Sequence, residues 1–177
     1  MTQNKKGINS IELETRKSDL DNVKVLVNEF GKLAYSVVDK YYCNIGYETG
    51  VDRLIKLLRK NEFSKQDFLA DPVKNIRDFL HGYFKDRGGN LPKVWTENNT
   101  VFLMTEISVP CITIAAEKLV GICHKDICNV YCRALAKGII KIFEDFFPGI
   151  KINFYNKSSR RNGGRSDCIE AFQVVIP

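Results

Sequence analysis

The chain is short of several things. No stretch of its 177 residues approaches the ~20 consecutive apolar residues that a membrane-spanning helix needs, so no membrane partner is expected. Met1-Thr2-Gln3-Asn4-Lys5-Lys6 is followed by no apolar run, so a secretory signal is not expected either. The sequence shows no internal repeat and no low-complexity tract, which excludes repeat arrays. With two histidines, imidazole chemistry is confined to His81 and His124. These absences point to a cytoplasmic chain whose thiols stay reduced.

What the sequence does have is ordinary globular composition and an unusual placement of sulfur. Hydrophobic residues make up 44% and charged residues 27%, enough for a core without staples. Six cysteines are present: Cys43, Cys111, Cys123, Cys128, Cys132 and Cys168. All but Cys43 lie after residue 110, so any chemistry is expected in that last third. The net charge of +6 favours anionic ligands. Part of it comes from Lys157, Arg160, Arg161 and Arg165, in a loop with Gly163-Gly164. A nucleic-acid surface would want aromatics among the charges and a recognisable reading element. That segment has neither, so nucleic acid is not an expected partner.

Periodicity divides the chain. Residues 1–9 are polar and read as a disordered tail. Ser10 to Arg16 alternates like a short strand or lead-in arm. From Ser18, with Asp21 three residues on, a helical period runs through Leu20, Val23, Phe30, Leu33 and Val37 to about Tyr42. Asn44 to Gly50 reads as a turn because of Gly46 and Gly50. Val51 to Arg59 is a short amphipathic helix. Ser64 caps the next turn, and Pro72 opens a helix carrying Ile76, Phe79, Leu80, His81 and Phe84, stopped by Gly88-Gly89. His81 is expected to be half-buried there.

After Leu91 the pattern changes. Val94-Trp95, a turn at Glu97-Asn98-Asn99, and Val101 to Met104 predict a hairpin. Pro110 opens a helix through Leu119, with Gly121 as its C′ glycine. A longer helix follows from about Lys125 to Phe147, turning Ile127, Val130, Tyr131, Ala134, Leu135, Ile139, Ile142, Phe143 and Phe146 inward. Pro148-Gly149 ends it. Ile150 to Tyr155 and Cys168 to Ile176 form the last two strands. The predicted fold is α+β in one domain over 10–177. Its N-terminal helices (10–90) precede a ββααββ unit (91–177) with an antiparallel sheet and helices on one face.

Three readings compete for the cysteines. Cys128 and Cys132 are i and i+4 and share a helix face. Cys123 and His124 stand at that helix's start, where free N–H groups favour a thiolate. Cys111 and Cys168 open neighbouring elements. A metal, zinc above all, takes thiolates and imidazole in fours, making Cys111, Cys123, His124, Cys128, Cys132 and Cys168 candidate ligands. A nucleophile, Cys123 or Cys128 with His124 as base, is the second reading. The plain alternative is that Cys128 and Cys132 are small core residues. Glu106 and Glu117 are the nearest acids, as oxygen ligands, as a base, or as surface. Trp95 and Phe102 are hairpin core, or line a pocket if the fold binds a ligand. Arg160, Arg161 and Arg165 are candidate clamps for a ligand carboxylate.

The order Cys111, Glu117, Cys123, Cys128, Pro148-Gly149-Ile150, a strand, a Gly-containing loop, Asp167-Cys168 and an alternating strand with Phe172 resembles two related groups. One is the L-2-amino-thiazoline-4-carboxylate hydrolase-like family. The other is the 4-vinyl reductase-type small-molecule-binding domain, which shares its fold with a subunit class of vesicle-tethering complexes. The resemblance covers residues 100–177. It implies a small-molecule-binding, sensor-like homodimer with a buried pocket, or a hydrolase of a small cyclic amidine or thiazoline acid. It also implies a zinc held near the terminal hairpin, where Cys128 or Cys132 and Cys168 match by position. The family's glutamate and middle cysteine fall near Tyr155 and Ser158 or Ser159, which do not replace them.

Overall fold

A computed structural model describes residues 10–60, 62, 64–86, 91–105, 117, 121–158 and 168–176, with only the backbone for 10–16, 86, 105 and 124. Helix α1 spans Ser10–Phe30 and α2 spans Ala34–Arg59, joined by a 3₁₀ turn at Gly31–Leu33. Short α3 (Lys65–Ala70) and α4 (Pro72–Asp86) follow. Strands β1 (Lys93–Glu97) and β2 (Thr100–Thr105) form a hairpin. A single turn, α5 (His124–Ile127), runs through a π-helical segment, Cys128–Cys132, into α6 (Arg133–Phe146). Strands β3 (Lys151–Ser158) and β4 (Cys168–Val175) close the chain. The four strands make one antiparallel sheet in the order β1-β2-β4-β3, so the expected α+β architecture is the observed one.

Several boundaries differ from expectation, each for a physical reason. Ser10 to Arg16 is helical, not a strand; Glu, Leu, Lys and Arg in and after it are good helix formers. Ser18 lies inside α1 rather than capping it. The single helix expected to Tyr42 is broken at Gly31, whose φ of +58° is the left-handed conformation that glycine adopts freely. The turn expected at Asn44–Gly50 is the middle of α2. The helix expected from Pro110 lies outside the described residues, except that Glu117 is helical and Gly121 N–H donates to its carbonyl at 3.0 Å. Gly121, at φ +71°, is the C′ glycine predicted.

The local signals at α3 and α4 hold. Ser64 Oγ accepts from the Asp67 N–H at 3.1 Å, and Asp71 Oδ1 accepts from the Lys74 N–H at 3.0 Å, so both helices begin on side-chain caps. His81, expected half-buried, is exposed.

The buried residues of α2 are Ala34, Val38, Tyr42, Gly46, Gly50 and Leu54, spaced by four. With about 3.6 residues per turn such a stripe drifts slowly around the helix. Its first half faces one hydrophobic cluster, with Leu20 and Val23 of α1 and Val130, Tyr131 and Ala134. Its second half faces the other, between α4, α6 and the inner face of the sheet, with Phe79, Ile139, Phe143, Val101, Leu103 and Phe172. Between them α2 crosses α6 at backbone contact. A Cβ on Gly46 would collide with the Leu135 carbonyl, and one on Gly138 with the Cys43 carbonyl and, at 2.7 Å, the Tyr47 nitrogen.

The sheet's inner face is Val94 and Thr96 of β1, Val101 and Leu103 of β2, Phe172 and Val174 of β4, and Ile152 and Phe154 of β3. Phe68, Phe143 and Phe147 stack beneath it, with Phe68 and Phe147 centroids 3.8 Å apart. Phe146, expected inward, is 50% exposed, while Phe147 is 5% exposed. The helix ends at Phe146, and the unwound residue after it turns inward instead. Glu144 Oε1 accepts from the Ile152 N–H at 2.7 Å, tying α6 to β3.

Two tests address this packing. On helix propensity alone Gly138→Ala would stabilise by about 1 kcal/mol. The backbone contact reverses the sign, and denaturant unfolding is expected to show a loss of about 2 kcal/mol or more; a gain would mean that the helices do not touch. Tyr42, edge-on to Tyr131 at 4.5 Å, has its pKa raised, first by burial and then by Asp19. A raised folded pKa gives stability that is complete below the unfolded value near 10 and is lost as pH rises above it. Stability is therefore expected to fall above about pH 10, by at most about 1.4 kcal/mol per pH unit for this one proton. Tyr42→Phe should flatten that slope in unfolding titrations.

Candidate functional site

The described cysteines are thiols rather than disulfides. Cys43 and Cys132 pack against the cluster formed by α1, α2 and the π-helical segment. Burial, followed by the Asp39 charge, pushes the Cys43 thiol up, which disfavours its thiolate and makes it a core residue. Cys123 is exposed, just ahead of α5. Its carbonyl accepts from the Asp126 N–H at 3.0 Å, and Asp126 Oδ2 accepts from the Tyr35 hydroxyl at 3.1 Å. Burial and then Asp126 hold that hydroxyl above its ordinary range. Cys128 opens the π-helical segment, and Cys168 opens β4 opposite Thr105; both are half-buried.

Other expected site residues fall outside what is described: Cys111, Glu106, Arg160, Arg161, Arg165 and the His124 side chain. Among the described residues, no three His, Cys, Asp or Glu side chains are grouped so as to hold a metal ion. Also among them, no helix is long and apolar enough to cross a membrane. Phe102 is buried, at 6% exposed, and Trp95 is half-buried, but neither belongs to the cluster beneath the helices. They alternate with Val94, Val101 and Leu103 and so lie on the outer face of the sheet, their rings stacked 5.2 Å apart.

A different group of side chains meets at one end of the sheet. Helix α6 leads through Pro148-Gly149 into β3 and runs back antiparallel to it, so its first residue, Arg133, lies over the ring of Phe154 at 4.8 Å. Beyond that ring the inner face turns polar. Along β3 the inward series Ile152, Phe154 continues as Asn156, and along β4 Val174, Phe172 continues as Glu170 and Cys168. Asn156 pairs with Glu170 and Ser158 with Ile169, with Lys157 as the extra residue of a bulge between them. The π-helical segment that carries Cys128 and Cys132 precedes Arg133 directly. Bulges and π-segments are both over-represented at functional sites, where they re-aim a side chain.

Asn156 Oδ1 is buried here without a hydrogen-bond partner among the described residues, as is Ser158 Oγ, which the bulge carries to the other face beside Ile169. Ser158 is 5% exposed. A buried acceptor or hydroxyl left unpaired costs about 1–3 kcal/mol. The sequence carries a faint signal of this end: the alternation that places Ile152 and Phe154 inward also assigns Asn156 inward, where an apolar residue would be usual.

Two open depressions lie elsewhere. One, of about 450 Å³, sits between the start of α4 and the β1–β2 turn, lined by Asp71, Lys74, Arg77, Thr96, Asn98 and Asn99 among others. Its polar groups are already engaged in part, since Asp71 caps α4 and Arg77 pairs with Asp78 at 2.7 Å. The second, of about 140 Å³, lies against Leu54, Leu58, Lys65, Phe146 and Phe147. No cysteine borders either one. No protein-family model, no curated protein and no solved structure matches the chain.

Proposed function

We propose that the polar end of the sheet binds a small anionic molecule and that the domain works as a small-molecule-binding, sensor-like module. The observation that carries this reading is Asn156 Oδ1, buried on the inner face without a hydrogen-bond partner among the described residues. A guest that hydrogen-bonds to it removes its desolvation cost. Arg133 supplies positive charge at the same end, and its planar fork suits a carboxylate. Glu170 stands opposite Asn156 and favours a guest that also carries a donor. The resemblance of residues 100–177 to the 4-vinyl reductase-type domain points the same way. Cys168 and Cys128 belong to this end as well, so zinc is the alternative guest.

Native mass spectrometry of freshly purified protein, compared with its denatured mass, is expected to show a retained small molecule. Arg133→Met and Asn156→Leu should each empty the site. In ligand-free protein Asn156→Leu should raise stability by about 1 kcal/mol, because it removes a buried amide oxygen that lacks a partner among the described residues. If Asn156→Leu destabilises the protein and both variants keep any adduct, the polar end is structural. Elemental analysis of the same sample separates an organic guest from zinc, which Cys168→Ser would release.

A further inference from the structure

Strand β1 is an edge of the sheet, and the hydrogen-bond pattern shows which of its backbone groups point outward. The Asn99 carbonyl accepts from the Val174 N–H of β4 at 2.8 Å. Backbone groups alternate in direction along a strand. Val101 and Leu103 therefore address β4, and Thr100, Phe102 and Met104 address β1. Their partners on β1 are Glu97, Trp95 and Lys93. Val94 and Thr96 are left with their N–H and C=O groups on the open side. Among the described residues, no backbone group from outside the hairpin bonds to either of them.

An open edge invites another strand, and a bulge is one device that discourages it. The opposite edge, β3, has such a bulge at Lys157, whereas β1 pairs with β2 in unbroken register. Its sequence, Lys93-Val94-Trp95-Thr96-Glu97, carries opposite charges at its two ends, both exposed. That arrangement is its own complement. Let β1 pair antiparallel with β1 of a second copy, about a two-fold axis at Trp95. Val94 then exchanges backbone hydrogen bonds with the partner's Thr96, and Thr96 with the partner's Val94, so every outward group of both strands is used. The same register sets Lys93 across from the partner's Glu97, and Glu97 across from the partner's Lys93. These are non-hydrogen-bonded pairs, in which side chains approach most closely. Sliding the strands to the next register leaves outward groups unpaired and separates both charge pairs. Glu97 is also held in place for this contact. Its Oε1 accepts from Trp95 Nε1 at 2.9 Å and its Oε2 is 4.0 Å from Lys157 Nζ, and a carboxylate has acceptor sites left for a further ammonium.

We propose that β1 joins two copies of this chain, making their sheets one continuous sheet with a two-fold axis at Trp95. The contact is isologous, as closed dimers require. A strand this short buries less than the ~800 Å² per partner of a standard interface, so the dimer is weak and reversible, with Kd on the order of 50 μM.

Sedimentation velocity of the full chain between about 5 and 500 μM is expected to show that equilibrium, and added salt should shift it towards monomer. Lys93→Glu and Glu97→Lys each place like charges across both ends and should each weaken the dimer about tenfold. An equimolar mixture of the two variants again has opposite charges at both ends. It should associate about as tightly as the unaltered protein. Thr96→Pro removes an outward N–H that the monomer does not use and should abolish the dimer. Circular dichroism checks that each variant is folded, and the mixing result does not depend on the proline variant. Three results overturn the proposal. The first is a chain that stays monomeric at about 500 μM. The second is a mixture that associates no better than either charge variant alone. The third is a dimer kept by Glu97→Lys and lost with Leu33→Glu, which places the contact at the exposed Leu33, Val37 and Tyr41 side chains instead.

Discussion

The backbone contact between α2 and α6 sets the position of everything around it. Gly46 and Gly138 each meet the other helix's main chain, and a Cβ on Gly50 would lie 3.1 Å from Ile142 Cδ1. Small residues at a crossing bring two helices closer than any larger side chain permits. With α6 held at that depth, Ile139, Ile142 and Phe143 reach the inner face of the sheet and Glu144 reaches the β3 backbone. The N-terminal end of the same rigid rod then has one place to go, above Phe154, and Arg133 is the residue there. The crossing therefore fixes the cation of the polar end from five residues away.

At that end both partner elements depart from regular geometry. The helix widens to a π-turn over Cys128–Cys132, and β3 gains a residue between Asn156 and Ser158. Each departure gives up some regular hydrogen bonding, and each is placed where the inner face changes from apolar to polar. Core packing alone does not call for that combination. Phe154, Phe172 and Val174 already complete the core, and an apolar residue at 156 would extend it at lower cost.

Most of the fold was legible in periodicity. The hairpins, the long helix after Lys125, the caps at Ser64 and Pro72, and Gly121 follow from short-range rules that read correctly here. Gly46 and Gly50 did not, because glycine signals both turns and close approach, and composition does not separate the two. Their spacing was the available clue: they continue the four-residue stripe of Val38, Tyr42 and Leu54. The sulfur-centred reading singled out Cys128, Cys132 and Cys168; Cys132 packs against the cluster beneath α1 and α2, and Cys168 opens β4. It passed over Arg133, Asn156 and Ser158, because polar residues in amphipathic elements ordinarily face solvent. Recognising them requires knowing which strand face is covered, and the bulge hides that from the alternation.

The outer face was illegible for a related reason. Strand alternation assigns Trp95, Phe102 and Tyr155 the side opposite to Val94, Leu103 and Phe154, yet no one segment of sequence contains both the rings and the lysines around them. A slip of one residue in any pairing would send each ring into the core and an apolar neighbour to solvent. The inner core thus specifies the outer row. The same register that buries Val101 and Phe172 leaves Phe102 and Ala171 facing away, with Trp95 and Tyr155 at the edges. The bulge in β3 comes only after Asn156, so the register stays intact through Tyr155, and its extra residue, Lys157, reaches back across the row to the Phe102 ring. The bulge thus places Lys157 over the Phe102 ring and carries Ser158 to the face of Ile169, away from Asn156 and Glu170.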